Sequence, residues 1–121
     1  MAGAVAIGGI FFRCKDPDAM AAWYAAQLGI IAGGAPWQQQ AGPLAFAPFP
    51  ADTDYFPADR QWMVNFRVDD LTALIASLHA SGIAIETRAE WDGEWDGEWG
   101  RFARIHDPEG NPIELWEAPP T

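Results

Sequence analysis

The chain predicts an α+β domain of two tandem βαβββ units, each a strand, a helix and three further strands, and three observations carry that reading. First, a strand-and-helix pattern occurs twice: Phe12-Arg-Cys-Lys-Asp16 leads into an apolar run ending at Leu28-Gly-Ile30, and Phe66-Arg-Val-Asp-Asp70 into one ending at Ser81-Gly-Ile83. The offset is 54 residues at Phe12/Phe66 and 53 at Gly29/Gly82, a near-constant spacing that duplication of one supersecondary unit explains. Second, both helical runs start at an aspartate able to cap and stop at a glycine. Third, residues 102–117 alternate on either side of Asp107-Pro-Glu-Gly-Asn111, a cluster whose Pro, Gly and Asx residues make a hairpin turn.

The 121 residues, half of them apolar, make one domain spanning 1–121. Its first unit covers about 5–50, a proline-rich linker about 50–60, and the second unit about 61–118. In the first strand, Gly8, Ile10, Phe12 and Cys14 face the helix, and Ile7, Gly9, Phe11 and Arg13 face away. Cys14 on that face is a small buried apolar residue rather than a reactive thiol. Asp16 caps the first helix, Pro17 suits its first turn, and Met20, Trp23, Tyr24 and Leu28 form one stripe. Ile30-Ile31, Trp37 to Gln40 and Leu44 to Phe49 are the strands that follow.

In the second unit, Trp62, Val64, Phe66 and Val68 share the helix side, and Gln61, Met63, Asn65 and Arg67 the other. Asp70 caps a helix striped by Leu71, Leu74, Ile75 and Leu78, and Gly82 closes it. Strands are expected at Ile83 to Arg88, Arg101 to His106 and Pro112 to Glu117. Between the first two lies Trp91-Asp-Gly-Glu-Trp-Asp-Gly-Glu-Trp99. Its glycines and clustered acids disfavour a helix, so it is a loop: either a tract expanded by local duplication, or an aromatic, acidic lid carrying Trp91, Trp95 and Trp99.

Seventeen acidic and seven basic residues give a net charge of −10, and Lys15 is the sole lysine, so no basic surface for nucleic acid can be assembled. The single cysteine excludes an intramolecular disulfide and any multi-cysteine zinc site. The apolar amino-terminal run lacks a basic leader and is too short to span a bilayer, so no membrane partner and a cytoplasmic location are expected.

The terminal hairpin points to a site. If residue 106 faces 112, Ile105 faces Ile113 and Ala103 faces Leu115 on an aliphatic side, while Arg104 faces Glu114 and Phe102 faces Trp116 on the other. The first side belongs on the core and the second on a cleft or in solvent. Glu114 then has two readings. It is a cross-strand partner of Arg104, worth up to about 1 kcal/mol. Or it is a desolvated catalytic carboxylate with a raised pKa, a general base.

The repeated unit, with Phe-Arg-Val-Asp-Asp before the second helix and Asp-Pro-Glu-Gly-Asn-Pro-Ile-Glu-Leu-Trp-Glu at the end, resembles the vicinal oxygen chelate superfamily of glyoxalases, bleomycin-resistance proteins and extradiol dioxygenases, over roughly residues 5 to 118. The resemblance implies that the two units form a curled mixed sheet around a shared cleft, helices outside, and that the chain is a homodimer. It also implies a divalent metal held by first-strand histidines and a last-strand glutamate. Of these positions only Glu114 matches, because the first-strand positions are Gly9 and Met63, and neither suits such an ion. His106, at the hairpin tip, is the one residue within reach of Glu114 for a bridging ligand, and His79 is a helix-terminal residue.

The expected function is therefore a metal-free, cofactor-free binder of a small aromatic or cationic molecule. Its cleft is lined by Phe11, Met63, Asn65, Phe102, Arg104, Glu114 and Trp116, of which Asn65, Arg104 and Glu114 orient the ligand. The alternatives are a divalent-metal lyase or isomerase of the glyoxalase type using Glu114, and a catalytically inert dimerisation domain. Whether the chain is an enzyme stays open at this point.

Overall fold

Two helices and three strands are laid down by the signals just described, in a computed structural model that describes residues 2–31, 36–88 and 99–120. Helix α1 spans Pro17–Leu28; the Asp16 carboxylate caps it by accepting from the Ala19 amide at 3.1 Å, and Gly29, at φ 70°, ends it. Helix α2 spans Leu71–Ala80 and is capped in the same way by Asp70, which accepts from the Ala73 amide at 3.0 Å. Each N-terminus is met by a second carboxylate from the end of the chain. Glu109 accepts from the Lys15 amide at 2.8 and 2.9 Å, just upstream of α1, and Glu117 accepts from the Leu71 amide at 2.8 Å. Amides left over at a helix start are satisfied, and the negative charge suits the dipole there.

Strands β1 (Val64–Arg67), β2 (Arg101–His106) and β3 (Pro112–Glu117) form one open mixed sheet in the order β1-β3-β2. The β2–β3 hairpin adopts the register its alternation predicts, with Arg104 opposite Glu114, Ala103 opposite Leu115 and Phe102 opposite Trp116. Its turn is built on the Asp107 carboxylate, which accepts from the Glu109 and Asn111 amides at 2.9 and 3.0 Å and from the Asn111 side chain at 2.8 Å. Gly110 takes the positive φ of 82° that closes it. Strand β1 joins the far edge of β3 in parallel, which sets Asn65 beside Glu114 and Phe66 beside Leu115. The terminal strand is thus the central one.

The core lies between that sheet and α2. Ala103, Ile105, Ile113 and Leu115 bury the aliphatic side of the hairpin against Leu71 and Leu78. Each fully buried Leu or Ile contributes about 1.5–3 kcal/mol relative to exposure. Helix α1 packs at the margin through Trp23, Tyr24 and Leu28, and Met20 is its buried residue.

The structure corrects the strand assignments of the first unit. Among the described residues, no strand forms at Ile7 to Cys14, Ile30-Ile31, Trp37 to Gln40 or Leu44 to Phe49, and Ile83 to Arg88 is reduced to one bridge, Glu86 to Arg104. Alternation makes a segment able to pair, but a strand exists only when a neighbour supplies the ladder. Here the first-unit segments run along the outside: Phe11 is 95% and Phe46 80% exposed. The curled sheet closed around a cleft by two units is accordingly not formed by the described residues. Cys14 is half-buried rather than buried, and its thiol is pushed up in pKa by burial and then by Glu109, Asp16 and Asp107, in keeping with an unreactive thiol. No helix among the described residues is long and apolar enough to cross a membrane.

Asp107 is buried, and besides its turn contacts it accepts from the Tyr24 hydroxyl at 2.9 Å, so one side chain ties α1 to the hairpin. Asp107→Ala should cost about 2–4 kcal/mol of stability, measured by urea unfolding, because it orphans several donors at once. Tyr24→Phe, which removes one donor, should cost about 1 kcal/mol.

Candidate functional site

On the face opposite α2, Asn65 from β1, Arg104 from β2 and Glu114 from β3 lie next to one another across the sheet. Strand alternation places them there, since their neighbours Phe66, Ala103, Ile105, Ile113 and Leu115 turn to the core. Glu114 is 7% and Arg104 2% exposed, unusual burial for charged groups unless they are well partnered. The Asn65 amide donates to Glu114 Oε1 at 2.8 Å, and the Tyr55 hydroxyl donates to Glu114 Oε2. Arg104 Nη2 donates to the Tyr55 backbone oxygen at 2.9 Å, and its guanidinium lies over the Tyr55 ring, 5.0 Å from the centroid. Phe49 stacks on the same ring at 5.5 Å and 25°.

Tyr55 belongs to the segment between the units and folds back onto the sheet. Alongside it opens a cavity of about 430 Å³, walled by residues 53–58 on one side and by Glu86, Arg88, Arg104 and His106 on the other. That size falls within the range of small-molecule sites. Arg88 pairs with Glu86 along one side of its rim at 3.3 Å. Arg60 fastens the far end of the segment, donating to the Glu109 carbonyl at 2.9 Å.

The expected cleft residues therefore divide. Asn65, Arg104 and Glu114 converge. Phe102 and Trp116 stack on each other at 6.1 Å and 4° further along the face, and the Trp116 indole donates to the Trp99 carbonyl at 2.5 Å. Met63 is half-buried just before β1, and Phe11 stands exposed in the amino-terminal segment. Of the expected lid, Trp99 is described, while Trp91 and Trp95 lie outside the described residues. His79 is exposed in the last turn of α2.

Tyr55 is the residue that sequence reasoning missed, because it lies in what reads as a linker. The available signal was compositional: the chain has only two tyrosines, and both, Tyr24 and Tyr55, put their hydroxyls on buried carboxylates. Arg88 and Glu86 were also missed, since only the bridge between Glu86 and Arg104 brings that segment to the cavity.

A divalent ion does not fit the residues present. Among the described residues no three of His, Cys, Asp or Glu come together as an ion site, and both Glu114 oxygens already accept hydrogen bonds from protein donors. Gly9 has no side chain, and a Cβ built there would lie 2.8 Å from the Phe11 ring. No step through a metal is derived.

Comparison with known proteins follows this geometry. A family profile described as a glyoxalase-like domain matches residues 9–116. Among solved structures, the chain is similar to TnmS3, an antibiotic-binding protein from Streptomyces sp. CB03234, at 28% identity and a TM-score of 0.51, over 87% of this chain and 88% of that one. A glyoxalase/bleomycin resistance protein, also from Streptomyces sp. CB03234, is 34% identical over 54% of each chain, with a TM-score of 0.36. No curated protein sequence matches.

Burial, then the hydrogen bond to Glu114 and its charge, push the Tyr55 phenol well above its ordinary range, with Arg104 acting in the opposite sense; burial and Asp107 do the same to Tyr24. Raised folded-state values mean that this stability is fully present below the ordinary phenol pKa of about 10 and is lost as pH rises from there through the folded-state values. Tyrosinate absorbance should thus appear together with unfolding on alkaline titration. A variant carrying both Tyr24→Phe and Tyr55→Phe should be less stable at neutral pH and lose less stability above about pH 10.

Proposed function

The chain belongs to the glyoxalase-like domain family, and from that premise we propose that it is a binding protein for a small aromatic molecule, seated in the cavity beside Tyr55 and independent of any metal. The observation that carries the reading is the convergence of Asn65, Arg104 and Glu114 beside a cavity walled by Tyr55 and Phe56. Such a site combines aromatic contact surface with a few fixed polar groups, as small-molecule sites do. Of the two ligand classes expected from sequence, the aromatic one is preferred. Arg88 and Arg104 are matched in the cavity wall by Asp54 and Glu86, so the lining offers a cation no net attraction despite the chain's net charge of −10, while Tyr55 and Phe56 supply aromatic surface. Similarity to an antibiotic-binding protein supports a small-molecule ligand of either class. Arg104, which lines the cavity, is the polar group placed to orient a ligand there, while Glu114, beneath Tyr55, holds that side chain in place.

Calorimetric titration with planar aromatic compounds should give saturable binding, unchanged after exhaustive treatment with a chelator. Arg88→Ala, at the rim, should weaken it about threefold to tenfold, the usual scale for one polar contact. A flat response across the series, with no shift in melting temperature, would sink the proposal.

The two-unit organisation, about 5–50 and 61–118, and a homodimer belong to the same reading. The exposure of Val5, Phe11 and Phe46 supports a second copy covering the first-unit segments, whose backbone could then join a ladder. Light scattering at micromolar concentration should give twice the chain mass of 13.2 kDa. A monomer throughout would remove the dimer.

A further inference from the structure

We propose that Tyr55 is an internal occupant of the ligand site, a strap residue whose phenol holds the place of a phenolic ligand, so that the molecules this protein takes up carry an aromatic hydroxyl. The inference rests on the binding role above and names the chemistry of that site. The seat is complete for a phenol: the hydroxyl meets a buried carboxylate whose other oxygen is fixed by Asn65 at 2.8 Å, and the ring is held under the Arg104 guanidinium. All three seat residues stand on paired strands, one on each strand of the sheet.

The occupant does not stand on a paired strand. Tyr55 lies in a segment whose backbone–backbone hydrogen bonds are local turns, Thr53 to Pro50 and Arg60 to Pro57, both at 3.0 Å, and which is tied to the hairpin through side chains, Arg104 to the Tyr55 carbonyl and Arg60 to the Glu109 carbonyl. Segments tied in this way open at a small fraction of the cost of opening a sheet. When Tyr55 swings out, Glu114, itself 7% exposed, loses a donor. A ligand hydroxyl restores that hydrogen bond, and an arene without one leaves a buried charge under-satisfied. The adjoining cavity of about 430 Å³ takes the remainder of a ligand larger than the phenol itself.

The probes are p-cresol, which reproduces the tyrosine side chain, and toluene, which lacks the hydroxyl. Binding is read by calorimetry and by shift of the melting temperature in wild type, Tyr55→Phe and Tyr55→Ala. Removing the competing hydroxyl should tighten p-cresol binding at least threefold in Tyr55→Phe and further in Tyr55→Ala. In Tyr55→Ala, p-cresol should bind about tenfold or more tightly than toluene, the scale of a hydrogen bond to a charged group. Adding Glu114→Gln to Tyr55→Ala should shrink that preference. Equal binding of p-cresol and toluene by Tyr55→Ala, or no gain in p-cresol affinity in Tyr55→Phe, overturns the inference. Tyr55→Phe keeps the ring and its packing, so it decides the matter even where Tyr55→Ala does not fold. Wild-type binding of planar aromatics without any dependence on hydroxyl or on Tyr55 would overturn this inference alone and leave the binding role standing.

Discussion

Two carboxylates buried on one hairpin govern the rest of the structure. Asp107 in the turn and Glu114 on the central strand are 4% and 7% exposed, and burying a charge is costly unless its lone pairs are occupied. The chain meets that requirement with both of its tyrosines. Tyr24 reaches Asp107 from α1, and Tyr55 reaches Glu114 from the segment between the units. The amino-terminal half is thereby held to the carboxy-terminal half by polar contacts, whereas α2 is held by close packing of Leu71 and Leu78 on the hairpin. Glu109 strengthens the same link by accepting from the backbone just ahead of α1.

The two halves of the molecule differ accordingly. Residues 61–118 supply all three strands of the described sheet and nearly all of its buried side chains, with β3 at the centre and paired on both edges. The first unit supplies a well-capped helix and long extended segments whose aromatic and aliphatic side chains meet solvent. A carboxylate on a central strand, flanked by an amide and a guanidinium on its neighbours, sits on the stiffest part of the fold. Its nearest cover belongs to one of the least tied segments. Rigid recognition groups beneath a looser cover suit a binding protein, because preorganised partners reduce the entropic cost of association.

Among the described residues, the metal-ligand set that the resemblance implies is not brought together. Glu114 occupies the position of the terminal ligand, yet Gly9 and Met63 leave it without histidines, and its oxygens are taken up by Tyr55 and Asn65. The fold retains the place where a carboxylate is presented and uses it as a hydrogen-bond acceptor.

The sequence by itself determined the elements whose causes are local. The Asp16 and Asp70 caps, the Gly29 and Gly82 stops and the Asp107-to-Asn111 turn act within a few residues, and the period-two pattern from Phe102 to Trp116 set the hairpin register down to the Arg104–Glu114 pair. Alternation also put Asn65 on the cleft side, but the parallel pairing of β1 with β3 that sets it beside Glu114 belongs to the tertiary structure. What only the tertiary structure decided is which segments find a partner and which side chains close the site. The first-unit alternation is as clear as that of β1, but no neighbour meets it among the described residues, and pairing is a property of two strands rather than one. Tyr55 came from a stretch without periodicity, and it covers Glu114 only because the chain path returns it to the sheet, where the charge buried on β3 required a donor.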